Sequence, residues 1–426
     1  MGDYQYEIYK ETVQSLSVEA RGGRIEAFDR ASETGAAVRV IKNGRIGFAY
    51  STESNVDEGE LIRQAESIAS ASEPDPDYSF SKPSKIPEFK SNKENFISMS
   101  EENKKILALE LEASVYKHDK RITGVRKPVY HEEIKNVSIR NSNGVDIDYS
   151  AGVGLLRIIA VASENGVSEL ASIDEYTLDP KKLNPKTVGS EAASNAISYL
   201  GGKAVSSRKC ACIIERRVTA HLLGTISSAF FADSVFLGRT PLAKQQGKKF
   251  YSEVVSIIDD AVMNGGFKTA PFDAEGSPAM ETSLVCEGVI TEFISDLRYS
   301  KKVKNAVPGG SVRGSVTQMP KIGVHNLYIR PGNKNFDQMV KDLGVGLVIT
   351  DVMGLHMANS VTGDFSVGAS GHWVEGGRIV HPVKSVTVAG NLHKIFGSVV
   401  AVGSDLKFWY STGAPSLLIE EISVSG

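Results

Sequence analysis

Disulfides, membrane spans and a polycationic surface are all missing from this sequence. Only three cysteines occur among 426 residues, Cys210, Cys212 and Cys286. Three cannot build the disulfide framework of a secreted scaffold. The single residue between Cys210 and Cys212 gives neither a zinc-ribbon nor a thioredoxin spacing, so all three read as reduced thiols. No apolar run approaches the roughly 18 residues that cross a bilayer. Met1–Thr12 is polar and lacks the apolar segment of a signal peptide. A cytoplasmic location is the expectation. Lys plus Arg number 48 against 51 for Asp plus Glu, a net charge of -3. No cationic excess is left to track a phosphate backbone, which disfavours a dedicated nucleic-acid binder.

The common chemical motifs are missing too. A dinucleotide fingerprint is reduced to Gly344-Val345-Gly346, followed by a strand-like run and not by a helix start. Gly247-Lys248-Lys249 lacks the upstream glycine and the Ser/Thr of a phosphate loop. Ser370 has Gly368 before it but His372 where a nucleophile elbow needs glycine. Of eight histidines, only His131 is followed by Glu, and the position five residues on is Asn136. His372 and His381 flank the turn at Gly376-Gly377; they either meet across it or are two polar positions on a half-exposed ribbon. His356 reads as a buried structural histidine, with contact to a peptide as the other reading. Asp273 and Glu275 lie beside Pro271 and Gly276, where carboxylates shape a loop more often than they share a proton.

What is present is ordinary globular composition, 41% hydrophobic and 23% charged, at a length of two to three domains. Alternating runs meet at Gly22-Gly23, Asn43-Gly44, Asn143-Gly144, Asn165-Gly166, Glu287-Gly288 and Gly376-Gly377, which predicts hairpins. Helices are expected over 57–71, over 100–119 with a capping box from Ser98 and Glu101, over 189–200, over 216–232 as one long helix, and over 336–343 ending at Gly344. Ser72–Phe96, with four prolines among charges, reads as a linker or a surface excursion. Together these predict an α+β fold of hairpin-rich antiparallel sheets with a few helices. The expected division is 1–205, an N-terminal and central α+β region with a linker near 72–97, and 206–426, a larger β-rich domain.

Gly354–Asn391 reads GLHMANSVTGDFSVGASGHWVEGGRIVHPVKSVTVAGN. This stretch resembles the C-terminal signature of the TldD/PmbA (TldD/TldE) family, historically called modulator of DNA gyrase. Pro271–Pro278 with the hairpin to Leu297, and Ile213–Leu237, agree with it. In that family, TldD-like chains carry an H-E-x-x-x-H helix and a cysteine near the C-terminus. Two imidazoles and the thiolate hold zinc, and the Glu acts as general base. Here the matching hexad is His221-Leu222-Leu223-Gly224-Thr225-Ile226. Leu222 stands in place of the base and Ile226 in place of the second ligand, and Gly403–Glu421 contains no cysteine.

The resemblance therefore implies a PmbA/TldE-type subunit with no catalytic residues and no metal of its own. Its implied partner is a TldD-like metalloprotease subunit that carries zinc, in a heterodimer that cuts unfolded peptides; the isolated chain could also pair with itself. The subunit would wall a cavity and hold substrate, with His356, Asn359, Thr362, Asp364 and Ser366 as candidate wall residues. The bland reading of that segment is tight turns with Asx-type hydrogen bonds. Two alternatives stay open: a stand-alone, homodimeric hydrolase with an atypical metal site drawn from His221, His356 or His372, and a binding modulator of DNA gyrase.

Overall fold

The computed structural model describes residues 4–426 and is α+β, as the hairpins predict. Its first sheet is antiparallel and built from six long strands: β1 (Gln5–Arg21), β2 (Arg24–Lys42), β3 (Arg45–Ser51), β4 (Ile122–Asn141), β5 (Asp146–Glu164) and β6 (Val167–Thr177), in the order β3-β2-β1-β4-β5-β6. Asn43 and Gly44 both take positive φ, at 51° and 71°, as a type I′ turn requires. The Asn143-Gly144 turn is made differently: the Asn141 side chain accepts from the Asn143 and Val145 N–H groups at 2.9 and 3.2 Å.

Helices cover one face of this sheet. α1 (Glu58–Ala71), capped by Asp57, seats Leu61 and Ala65 against Ile8, Val38 and Val40. α2 (Lys93–Ile97) is a single short turn. α3 (Glu101–Tyr116) and α4 (Pro185–Ser198) pack Leu111, Val115, Val188 and Ala192 against Val18, Leu156 and Ile158. The cap of α3 is Ser100, whose hydroxyl accepts from the Asn103 N–H; Ser98 instead donates to the Asn95 carbonyl. The capping box expected from Ser98 and Glu101 is corrected by two residues.

The proline-rich segment is not a free linker. Phe80 and Phe96 are buried, and Asp75 accepts from Arg298 at 2.8 Å and Lys302 at 2.5 Å. Asn92 brackets Gly152, donating to its carbonyl and accepting from its N–H, both at 2.8 Å. The segment is a strap that ties the first sheet to the second half of the chain. Phe96 lies over Gly152 because only glycine leaves room: a β-carbon there would stand 2.5 Å from the Phe96 ring. Phe96→Ala is expected to cost about 3–5 kcal/mol through the cavity it leaves, read as a lower urea midpoint.

The second half opens with β7 (Arg208–Ile214), and α5 (Arg216–Thr225) follows. The single helix expected over 216–232 is broken. α5 stops at Thr225, a 3-10 turn spans Ser227–Phe230, and α6 (Ala232–Phe236) restarts the helix. The break lets Ile226, Ala229, Phe230 and Ala232 all enter one core, which the regular periodicity of one helix would not allow.

Two sheets flank that core. One runs Val289–Ile290, β9 (Glu281–Cys286), β8 (Ile257–Asp260), Leu327–Ile329, Thr412–Ala414 and Lys407–Trp409. The other runs Arg378–Asn391, Asp364–Glu375, Gly346–Met353, β7, Leu417–Ser425 and Val399–Val402. In this second sheet Arg378–Asn391 also pairs with Leu417–Ser425, so five of its strands close into a ring. α7 (Phe336–Leu343) ends at Gly344, as expected, and packs Met339 and Leu343 on the outer face of the ring. His372 and His381 do not meet. His372 is opposite Pro382, and His381 is opposite Trp373, so the two rings leave opposite faces of the ribbon.

The helix-free face of the first sheet turns toward the second half. Along β2, Ala36, Val38 and Val40 face the helices, while Ala37 and Arg39 face inward. The Arg39 guanidinium grips Glu7 with two hydrogen bonds, at 2.9 and 2.8 Å, and reaches Glu275 at 2.8 Å. Arg313 adds a second cation beside Glu7 at 3.3 Å. All four side chains are buried, so charges from β1, β2 and two later loops lock the halves together.

Candidate functional site

α5 positions the hexad by its two faces. Glu215 caps it, accepting from the Arg217 N–H at 2.8 Å. Arg217 then ties the helix to its neighbours, donating to the Ser172 carbonyl at 2.8 Å and to Asp351 at 3.0 Å. Val218, Leu222, Leu223 and Ile226 turn into the core, with Leu222 3% and Ile226 0% exposed. His221 turns the other way, into an open cleft of about 630 Å³.

Four parts of the chain line this cleft. β6 contributes Asp174 and Tyr176, α5 contributes His221, and the turn after Met353 contributes His356 and Ser360. Trp409 closes it from the far side. Desolvation by the surrounding protein, aided by the Arg217 charge, holds the His221 imidazole below its ordinary value. It is therefore neutral near pH 7, the form that accepts a hydrogen bond.

These residues do not fit zinc. The places of the base and the second ligand hold aliphatic side chains seated in the core, and the outward face of α5 offers one imidazole. Among the described residues no three His, Cys, Asp or Glu side chains converge on a metal site. His372 does not line the cleft; it stacks on Tyr199 at 6.0 Å and lines, with Arg217, an adjoining cavity that shares Asp174 and Trp409 with the cleft. Burial pushes the Cys210 and Cys212 thiols up, the opposite of what a nucleophile needs.

The candidate wall segment divides in two. His356 is exposed and sits in the cleft with His221, which corrects the expectation of a buried structural histidine. Asn359, Thr362 and Asp364 build the turn itself. Asn359 accepts from the Val361 and Thr362 N–H groups, both at 2.9 Å, and Asp364 accepts from Thr362 and Asn391, both at 2.8 Å. Ser366 is exposed on the strand beyond and does not line the cleft. Ser360 was not singled out by the sequence, and the turn brings it to the cleft.

A second, more enclosed space lies between the first sheet and the later loops, with a volume of about 460 Å³. Tyr9, Glu11 and Lys135 enter it from the sheet, and Lys268, Asp273 and Arg313 from the loops. Asp273 shapes its loop, accepting from the N–H groups of Glu275 and Ser277 at 2.9 Å and of Ser311 at 3.1 Å. Burial and the neighbouring Glu275 charge push its carboxyl up. Of the residues weighed for their chemistry in the sequence, Asp273 lines this chamber.

Three domain profiles described as PmbA/TldA metallopeptidase match this sequence: domain 1 over residues 6–69, the central domain over 94–200 and the C-terminal domain over 207–426. The chain belongs to the PmbA/TldA metallopeptidase family. Metalloprotease PmbA of Escherichia coli O157:H7 is 27% identical over 96% of this chain and 90% of that protein. An Archaeoglobus fulgidus metalloprotease is 26% identical, over 92% of this chain and 90% of that protein. Among solved structures, a Thermotoga maritima protein named as a modulator of a DNA gyrase superposes with a TM-score of 0.92 at 28% identity, covering 99% of this chain and 96% of that one. TldE of Thermococcus kodakarensis superposes at 0.89 with 21% identity over 99% and 97% of the two chains, a likeness of fold alone. The PmbA/TldA membership agrees with the resemblance carried by Gly354–Asn391. Among the described residues no helix is long and apolar enough to cross a membrane.

Proposed function

We propose that this chain is the non-catalytic, PmbA/TldE-like subunit of a two-component cytosolic zinc metallopeptidase, walling its cavity and holding unfolded peptide. A TldD-like subunit would carry the zinc and the general base. The observation that supports this most directly is the seating of Leu222 and Ile226 in the core. The hexad is replaced in residue type, and its side chains also serve as core, so the change cannot be undone by a small local shift. The cleft beside it, with neutral His221, exposed His356 and the polar turn, suits contact with a polypeptide backbone better than bond cleavage. A neutral imidazole and hydroxyls recognise amide groups with little sequence preference.

The test is cleavage of an unfolded peptide, with zinc measured on the same samples, for this chain alone and mixed with a TldD-like subunit. The chain alone should hold less than about 0.1 equivalents of zinc and leave the peptide intact, and the mixture should cleave it. Stoichiometric zinc and cleavage by the chain alone would overturn the reading in favour of a stand-alone hydrolase.

A further inference from the structure

The chamber between the two halves carries a surplus of buried polar atoms that no protein group satisfies. The Arg313 Nη1 and Nη2 groups donate to the Gln318 carbonyl and to Glu7, but its Nε–H has no partner. The Ser311 hydroxyl is also buried without a hydrogen-bond partner, as is the His325 Nδ1, which has an Asp259 oxygen only at 3.7 Å. Ser311, His325 and Arg313 are 1%, 5% and 9% exposed, so bulk water does not serve these atoms. Buried polar groups left in this way are uncommon and ask for a ligand. Lys268 adds to the surplus. An ammonium carries three N–H bonds, and the Val324 carbonyl takes one of them at 3.2 Å.

Of the carboxylates that line the chamber, Glu33 and Glu133 are exposed to solvent, and the buried ones are already engaged. Glu11 accepts from the Tyr9 hydroxyl at 2.5 Å and pairs with Lys135. Three backbone N–H groups saturate Asp273. Asp259 takes the His325 N–H with both oxygens, at 2.9 and 3.2 Å. Burial lowers Lys268 and, with the Arg39 charge beside it, brings Arg313 down to about 10. Lys268 thus keeps N–H bonds to spare and Arg313 an unused Nε–H, in a space whose volume is that of a small-ligand site and whose walls include Tyr9, Tyr149 and Phe272.

We propose that this chamber is an anion subsite, in which Lys268, Arg313 and Ser311 hold a carboxylate of a bound peptide, either its chain terminus or an acidic side chain. Assigning the carboxylate to a peptide rests on the peptide-holding role proposed above; the preference for an anion does not. Lys268 supplies the mobile charge, Arg313 the fixed Nε–H and Ser311 a hydroxyl that turns to donate. The apolar walls raise the strength of each contact by excluding water.

The experiment is calorimetric titration of the full chain with three unstructured decapeptides of Gly, Ala and Ser. One has a free C-terminus and no acidic residue, one is the same peptide amidated, and one is amidated with a single central Asp. The free-acid or the Asp peptide, or both, should bind roughly 10- to 100-fold more tightly than the amidated neutral one, and which of the two does so identifies the source of the carboxylate. Lys268→Met, which removes a side chain with one hydrogen bond, should erase that preference, and Ser311→Ala should reduce it. Equal binding of all three peptides, or a preference that survives both substitutions, would overturn the proposal. Failure of the two-subunit reading would instead appear as cleavage by the chain alone, with the carboxylate preference unchanged.

Discussion

Arg39→Ala is expected to cost about 3–5 kcal/mol, one of the two largest effects of any single site in the chain. The reason is what it leaves behind. Arg39 makes three charge-assisted hydrogen bonds, two to Glu7 and one to Glu275. Without it, Glu275 keeps a single hydrogen bond, from the Leu297 N–H at 2.9 Å, and Glu7 keeps only Arg313. Two carboxylates would then be buried with half their compensation, and each must be hydrated by opening the junction or be protonated. Hydrogen exchange followed by mass spectrometry should show β1, β2 and the Pro271–Pro278 loop exchanging together in the variant, with the helix-covered face of the sheet still protected. A double-mutant cycle with Glu275→Gln separates the pair from its surroundings. The coupling should exceed the 1 kcal/mol or so of an exposed pair, because both partners are less than a tenth exposed. Additive losses would show that Arg39 matters for its packing on Phe80 and not for its charge.

How far the sequence carried the argument follows from the range of each interaction. Asn43-Gly44, the stop of α7 at Gly344 and the alternation into the Gly22-Gly23 turn are local, set by φ preferences and side-chain period, and each was legible. The break in α5 was not. Ile226 to Ala232 has no proline, and helical propensity alone runs through it; the core overrides that propensity by drawing in Ile226, Phe230 and Ala232 together. The capping box at Ser98 failed because Ser98 and Ser100 are equivalent by type, and the turn of α2 just before them decides which one starts α3. The hexad at His221 was legible as a departure from a motif, since a missing base needs no tertiary information. Its orientation, with two aliphatic members in the core, needed the fold. The chamber was out of reach. Lys135, Lys268, Ser311, Arg313 and His325 come from four separate stretches, and no spacing rule relates residues that meet only when two halves close. The strap shows the same limit: its prolines signalled irregular backbone correctly, yet the burial of Phe80 and Phe96 depends on glycines and strand faces far along the chain.

Leu222→Glu combined with Ile226→His, which restores the residue types of the metallopeptidase hexad, is expected to destabilise the chain by several kcal/mol and not to create a zinc site. At 3% exposure, a carboxylate at 222 would enter a core built by Val218, Leu223, Phe230 and Leu327, with no donor nearby. An isolated charge there is tolerated only by taking up a proton or by opening the core. An imidazole at 226 would replace a side chain that is 0% exposed, at the cap where α5 gives way to the 3-10 turn, and would bury two ring nitrogens in an apolar core. His221 faces the opposite side, so the three side chains would not converge even if the helix held. Differential scanning calorimetry should show the variant melting below the parent chain, by about 1 °C for each kcal/mol lost at this size, with zinc leaving that temperature unchanged. A zinc-dependent rise of the melting temperature would mean that α5 can rotate its buried face outward, and the non-catalytic assignment would then rest on residue type alone.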